Sequence, residues 1–139
     1  MSLLSVFSIA GSGMAAEGER LSAVASNLAN ANSMVDSSGQ PYRAREVVFR
    51  AVSQGDAVEG PAATGMAGVQ VAAVVTSQAP LREIYQPDSN FADANGYVQM
   101  PNVNPVDEMV NMMSAQQNYQ ADLEAFNVAK SLALRTLTI

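Results

Sequence analysis

The sequence contains no cysteine, no histidine and no tryptophan, and aromatic residues make up only 6% of its 139 positions. Without cysteine and histidine, the chain has no disulfide, no thiol nucleophile, no imidazole base and no thiolate or imidazole metal ligand. It also lacks a run of 18 apolar residues, so no membrane-spanning segment is predicted. Alanine, valine and methionine supply most of the 48% apolar content, which argues against a large compact core of bulky side chains.

Basic residues are also scarce. Seven lysines and arginines stand against 13 acidic residues, giving a net charge of −6. A nucleic-acid-binding protein needs a basic face, so this class is excluded. The N-terminus shows no basic segment before an apolar one and no clear small-residue cleavage site, so we expect no classical secretory signal.

No constellation of catalytic residues is present in the sequence. No carboxylate pair has a supporting base or nucleophile nearby, and the aspartates fall at turn and cap positions. The Gly-Ser-Gly segment at 11–13 lies inside a helical pattern with no strand before it, which does not fit a dinucleotide-binding loop. We therefore predict that the chain is not an enzyme and has no catalytic residues, cofactor or small-molecule substrate.

Asp88, Asp93 and Asn95 invite comparison with a calcium-binding loop. An EF-hand loop that turns at Gly96 would need an acidic residue at position 91, which is Phe91. Turn formation explains these residues better, because aspartate and asparagine favour turns before glycine. We predict no metal site.

A long helix is predicted over the last third of the chain. After Pro105 there is no glycine or proline to end it. Asn104 suits the N-cap and Pro105 the first helical position, while Asp107 is placed to reach back to the N–H of the cap. At 1.5 Å per residue the helix would be roughly 50 Å long.

The apolar residues of this helix recur at steps of three or four, which indicates that it packs on other helices. An amide-rich stretch at 116–120 interrupts them; a multi-helix assembly tolerates it, because amides bond between neighbours and fix register. The predicted packing residues are Met109, Met113, Tyr119, Leu123, Phe126, Leu134 and Leu137.

Residues 3–32 form a second predicted helix, with apolar residues in a 4-3-4 pattern that Glu17 alone interrupts. Gly11, Gly13 and Gly18 each weaken it by up to ~1 kcal/mol relative to alanine, but small residues also let another helix approach closely. The predicted packing residues, within the chain or between subunits, are Leu3, Phe7, Met14, Leu21, Val24 and Leu28.

The middle of the chain reads as strands and loops. Strands are predicted at 42–52, 69–76, 81–86 and 97–100, with a loop rich in glycine and alanine at 54–68. The predicted fold class is α+β: the long N- and C-terminal helices pair as an antiparallel coiled coil, and a small antiparallel β unit is inserted between them. The predicted domains are the N-terminal helix at 1–35, a β-rich outer domain at 36–102 and the C-terminal helix at 103–139.

Several motifs resemble those of bacterial flagellar rod proteins. The N-terminal signature runs from Ser12 to Asn32 and centres on Ser26, Asn27, Leu28, Ala29 and Asn30. The block from Gly96 to Asn104, with the segments at 42–49, 108–110 and 119–121, resembles the proximal-rod type. The resemblance covers nearly the whole chain. Gly18 and the long loop at 55–68 depart from it.

This resemblance implies a structural subunit of the basal body. Such rods are helical stacks that cross the periplasm and transmit torque from motor to hook. The implied partners are other copies of the chain, other rod proteins and the flagellar type III export apparatus. Because the terminal helices carry more apolar and amide surface than one copy covers, we expect them to be largely disordered in the monomer and to order on assembly.

Two alternatives stay open at this level. Another axial protein of the flagellum, from a different part of the rod or from the hook, would share the N-terminal signature. A coiled-coil adaptor that never polymerises would need a polar outer helix face, which this sequence does not show.

Overall fold

The computed structural model describes residues 3–35, 39–53 and 67–137. Its elements follow the predicted order, and the two helices are joined by four strands. The strands form two separate two-stranded antiparallel sheets, β1 with β2 and β3 with β4. The elements are α1 (Leu3–Asn30), β1 (Arg45–Ser53), β2 (Ala67–Thr76), β3 (Arg82–Tyr85), β4 (Tyr97–Met100) and α2 (Pro105–Leu137). The predicted α+β class with paired terminal helices is confirmed.

Helix α2 begins where the cap residues predict. The Asn104 side-chain oxygen accepts a hydrogen bond from the Val106 N–H at 3.1 Å, and the Asn104 carbonyl accepts from the Glu108 N–H at 3.0 Å. The Asp107 carboxylate accepts from the Asn104 side-chain amide at 2.8 Å, which differs from the predicted bond to the backbone N–H. Asp107 and Glu108 also place negative charge at the positive end of the helix dipole.

The chain divides into two compact units. Unit 1 comprises residues 1–21, 47–73 and 114–139, and unit 2 comprises residues 22–46 and 74–113. Both helices contribute a segment to each unit. The domain boundaries predicted from the sequence, after residues 35 and 102, stay a prediction, and most of the predicted loop at 54–68 lies outside the described residues.

In unit 1 the two helix segments run antiparallel. The rings of Phe7 and Phe126 meet edge to face with centroids 4.9 Å apart, and the Asn118 amide donates to Glu17 Oε1 at 3.0 Å. The sheet of β1 and β2 joins α1 at Ser12, whose hydroxyl accepts from the Val69 N–H at 3.1 Å.

In unit 2 a small core forms around Ala31, Tyr42, Ala44 and Val103. Strands β3 and β4 pair antiparallel, with Arg82 opposite Met100 and Tyr85 opposite Tyr97. Val98 and Met100 point inward from β4, as the period of two requires.

The turn before β4 is built by Asp93. Its carboxylate accepts from the N–H groups of Asn95 and Tyr97 at 2.8 and 2.9 Å, and Gly96 adopts a φ of 84°. The left-handed conformation at Gly96 suits glycine because it has no Cβ. The turn predicted here from the sequence is confirmed.

Candidate functional site

The most highly connected polar side chain of unit 2 is that of Asn27, which is only 2% exposed. Its oxygen accepts hydrogen bonds from the Tyr42 hydroxyl at 2.9 Å and the Arg45 N–H at 2.8 Å. Its amide nitrogen donates to the Arg45 carbonyl at 2.9 Å and to Glu108 Oε2 at 3.2 Å. Two acceptor sites and two N–H donors are the full capacity of this side chain, so Asn27 is completely satisfied.

This arrangement joins three segments of the chain through one amide. Asn27 lies near the end of α1, Arg45 opens β1 and Glu108 lies in the first turn of α2. The pairing with both backbone groups of Arg45 imitates the bonds that a neighbouring strand would make. An apolar residue at position 27 would leave these groups unpaired, at a cost of about 1–3 kcal/mol per buried group.

The neighbouring polar residues form further hydrogen bonds around the end of α1. The Ser26 hydroxyl lies 3.1 Å from the Tyr42 hydroxyl, and the Asn30 amide donates to the Ser26 carbonyl at 2.8 Å. The Arg82 guanidinium donates to the Ala31 carbonyl at 3.4 Å and to the Pro101 carbonyl at 3.2 Å. The side chains of Asn30 and Arg82 thus donate to carbonyls near the end of α1 and just after it.

The other two signature residues, Leu28 and Ala29, have apolar side chains and form none of these hydrogen bonds. Leu28 is half-buried and Ala29 is exposed. We call the set Ser26, Asn27, Asn30, Tyr42, Arg45 and Glu108 the asparagine junction. In the sequence, the asparagines are recognisable only as part of the family signature, and their partners Tyr42, Arg45 and Glu108 are found only in the structure. Its one sequence signal is the spacing: Asn27 lies three residues after Val24 and four before Ala31, beside the apolar row that Leu28 continues.

The predicted packing residues of α1 lie at different depths. Phe7 contacts Phe126 across unit 1, and Val24 is buried. Met14, Leu21 and Leu28 are half-buried. The side chain of Leu3 falls outside the part of the chain that the structure describes. Whether these residues also contact other subunits stays a prediction.

The predicted packing residues of α2 are mostly on its outer surface. Met113 is 69% exposed, and Met109, Tyr119, Leu123 and Leu134 are also exposed. The Leu137 side chain lies outside the described residues. The side of α2 that is covered within the chain carries three alanines, one methionine, one aspartate and one phenylalanine. They are Met112, Ala115, Asp122, Phe126, Ala129 and Ala133.

The described part of α2 therefore carries many large apolar side chains that the chain leaves exposed. We call these exposed residues together the α2 outer face; they are Val106, Met109, Val110, Met113, Tyr119, Leu123, Val128, Leu132 and Leu134. Three exposed amides, those of Gln116, Gln117 and Gln120, lie between Met113 and Leu123 in the sequence. Large exposed apolar patches on a protein mark surfaces that contact other molecules.

The described residues offer little for ligand chemistry. Among them, no group of three or more aspartate or glutamate side chains is placed to hold a metal ion. An open depression of about 320 Å³ in unit 2 is bordered by Phe91, Asp93 and Tyr97, and Asp93 already serves the turn. Neither helix, over its described length, is apolar enough to cross a membrane.

Comparison with known proteins finds matches at both ends and over the whole length. The family model described as flagella basal body rod protein matches residues 7–33, and that described as flagellar basal body rod FlgEFG protein C-terminal matches residues 94–139. The first match contains most of the asparagine-rich signature. The second contains β4 and the whole of α2.

Full-length relatives agree with these matches. The chain is 55% identical to the flagellar basal-body rod protein FlgC of Salmonella typhimurium over 139 residues, which is all of this chain and 98% of the relative. It is 54% identical to FlgC of Escherichia coli O157:H7 with the same coverage. FlgC of Buchnera aphidicola from Acyrthosiphon pisum is 40% identical over 141 residues, again covering 100% of this chain and 98% of the relative.

Proposed function

Because the chain belongs to the flagellar basal-body rod protein family, we propose that it is a structural, non-enzymatic subunit of the proximal rod. In this role it polymerises helically with other axial proteins and forms part of the shaft that transmits torque from motor to hook. The observation that carries the proposal is the α2 outer face, which one copy of the chain leaves uncovered. Its full-length likeness to rod proteins named FlgC supports the same conclusion.

The α2 outer face has enough apolar area to drive association. Full burial of a valine, leucine or methionine side chain contributes about 1.5–3 kcal/mol. Over the part of α2 whose side chains the structure describes, nine large apolar residues remain exposed, and Met113 and Val106 are 69% and 66% exposed. Ala115, which faces inward, is 0% exposed. A helix whose largest apolar groups point outward gains most of its stability from neighbours.

The exposed amides in the middle of α2 would determine the register of packing between subunits rather than strengthen it. Gln116, Gln117 and Gln120 are exposed, and a buried amide is costly unless it finds a partner. In a packed assembly they would therefore favour the registers in which they are hydrogen-bonded. This accounts for an amide-rich stretch between two apolar ones.

The route of assembly is part of the proposal. The subunit leaves the cytoplasm through the flagellar type III export apparatus and takes its place in the rod that spans the periplasm. Its terminal helices order fully only when neighbours cover them, because an isolated helix gains little from propensity alone. The shared C-terminal match to FlgEFG proteins leaves other axial positions as the competing function.

Cross-linking in isolated basal bodies tests the proposal. The chain has no cysteine, so Met113→Cys introduces a single reactive group on the α2 outer face. We expect a thiol-directed cross-linker to join it to another axial subunit or a second copy. The same variant labelled as free monomer is the control and should give no such adduct at low concentration. If the chain is absent from purified basal bodies, the proposal is wrong; if it lies only beside hook proteins, the other axial role is correct.

A further inference from the structure

Two carboxylates meet at one layer of the helix pair in unit 1. A Cβ built on Gly13 of α1 would lie 2.9 Å from Cγ of Asp122, and closer still to its Oδ2. The Asp122 carboxylate therefore lies directly against the α1 backbone, in space that only glycine leaves open. One helical turn further along α1 comes Glu17, and one turn back along α2 comes Asn118. We call these four residues the acidic layer.

Glu17 is only partly compensated in this layer. Its Oε1 accepts a hydrogen bond from the Asn118 amide at 3.0 Å. Its Oε2 is buried and has no hydrogen-bond partner. Arg20 approaches that oxygen to 3.6 Å, which is an ion-pair contact but too long for a hydrogen bond. A buried carboxylate oxygen without a partner disfavours the charged layer.

The electrostatics of Asp122 point in the same direction. Burial raises the pKa of the Asp122 carboxyl above its ordinary value of 3.8, and the negative charge of Glu17 raises that pKa further. Glu17 and Arg20 are the charged side chains that α1 brings to this layer.

We propose that the acidic layer is a proton-linked latch: pairing of α1 with α2 in unit 1 takes up a proton at Asp122, so that the pair is more stable in acid than at neutral pH. The proton comes from solvent and is held on the Asp122 carboxyl, which lowers repulsion with Glu17. This inference concerns the monomer and does not depend on the proposed rod function.

The direction follows from the linkage between proton binding and pairing. The paired state binds a proton more tightly than the unpaired state, because the pKa of Asp122 is raised in the pair. Below the ordinary value of 3.8, both states are protonated and the pair carries no penalty. As pH rises through the raised value, the paired carboxyl must ionise and this stability is lost.

Spin labels measure the pairing directly in the full chain. Ala15→Cys and Gln120→Cys place labels at exposed positions on the two helices of unit 1, and no other cysteine interferes. In wild-type background we expect the short inter-label distance to become more populated between about pH 7 and about pH 4. With Asp122→Asn, which keeps the shape but not the charge, the short distance should be well populated already at neutral pH and should change little with acid.

A matched control separates the latch from general loss of charge, which matters because the sequence pI is about 4.4. Glu124→Gln removes one charge at an exposed position of the same helix and should keep the wild-type pH profile. Glu17→Gln should shift the profile toward neutral-pH pairing. If Asp122→Asn and Glu124→Gln give the same profile as wild type, the latch is rejected. If Asp122→Asn abolishes the short distance at every pH, the carboxylate stabilises the pair and the proposal is likewise overturned.

Discussion

The side-chain amide of Asn27 pairs with both backbone polar groups of Arg45: it donates to the carbonyl at 2.9 Å and accepts from the N–H at 2.8 Å. One side chain of α1 thus takes the place of a strand partner at the first residue of β1. The same amide reaches Glu108 on α2. The end of α1, the start of β1 and the start of α2 are held in register by one residue.

The first prediction concerns this residue. Asn27→Ala should lower the free energy of unfolding by about 2 kcal/mol or more, because several buried groups of Tyr42 and Arg45 lose their partner. Urea unfolding followed by circular dichroism measures the change. Asn32→Ala is the matched control: Asn32 is exposed, and its substitution should stay within about 0.5 kcal/mol of wild type. Equal effects of the two substitutions would contradict the junction.

The second prediction adds a negative charge to the same junction. Asn27→Asp keeps the volume but replaces the donor to Glu108 Oε2 by a second carboxylate. We expect it to be less stable than wild type at neutral pH and to recover part of that loss in acid, where the like-charge repulsion is removed. Adding Glu108→Gln should restore part of the stability at neutral pH. The assignment fails if the double variant is no more stable than Asn27→Asp alone.

The third prediction compares two glycines of α1. Gly13→Ala adds a Cβ that meets the Asp122 carboxylate, whereas Gly18→Ala adds one with nothing within 4 Å. Alanine favours a helix over glycine by about 1 kcal/mol. Gly18→Ala should therefore raise the helicity and the unfolding midpoint of the monomer, and Gly13→Ala should do neither. Asp122→Ala should restore the gain to Gly13→Ala, which thermal melts can check.

The fourth prediction compares two glycines in turns. Gly39 and Gly96 have φ of 79° and 84°, so alanine at either costs roughly 1–2 kcal/mol of backbone strain. At Gly96 the added Cβ would also lie 2.8 Å from the ring of Tyr85, while at Gly39 nothing lies within 4 Å. Gly96→Ala should destabilise the chain more than Gly39→Ala. A smaller effect at Gly96 than at Gly39 would show that the Tyr85 ring moves aside without cost.

The fifth prediction tests the α2 outer face in cells. Met113→Asp should abolish incorporation into the rod and motility, because its side chain is 69% exposed in the monomer and apolar burial is lost only in the assembly. The free chain should show an unchanged circular dichroism spectrum. Met113→Leu, which keeps the apolar volume, should swim normally. Normal swimming of Met113→Asp would show that this face is not covered in the rod.

Much of the fold could be read from local signals. Asn104 and Pro105 place the start of α2, and the Asp93–Gly96 segment places the last turn, because caps and turns depend on residues within a few positions. The packing faces could not be read in this way. Met109 and Met113 share a helical row with strongly apolar neighbours, yet the structure turns alanines 115 and 129 inward. Periodicity locates apolar rows, but it does not say which row is covered when a helix has more than one.

By itself, the sequence determined the order of the elements, the start of α2, the family and the absence of cysteine, histidine and tryptophan. Each of these depends on residue identity or on contacts over a few positions. Only the tertiary structure decided that Asn27 binds Arg45 and Glu108, that Gly13 makes room for Asp122, and that Ala115 and Ala129 rather than Met109 and Met113 face inward on α2. The physical reason is that these contacts join residues far apart in the sequence; Asn27 and Glu108, for example, are 81 positions apart. Close approach then depends on the sizes of both side chains and not on the apolar pattern of either segment.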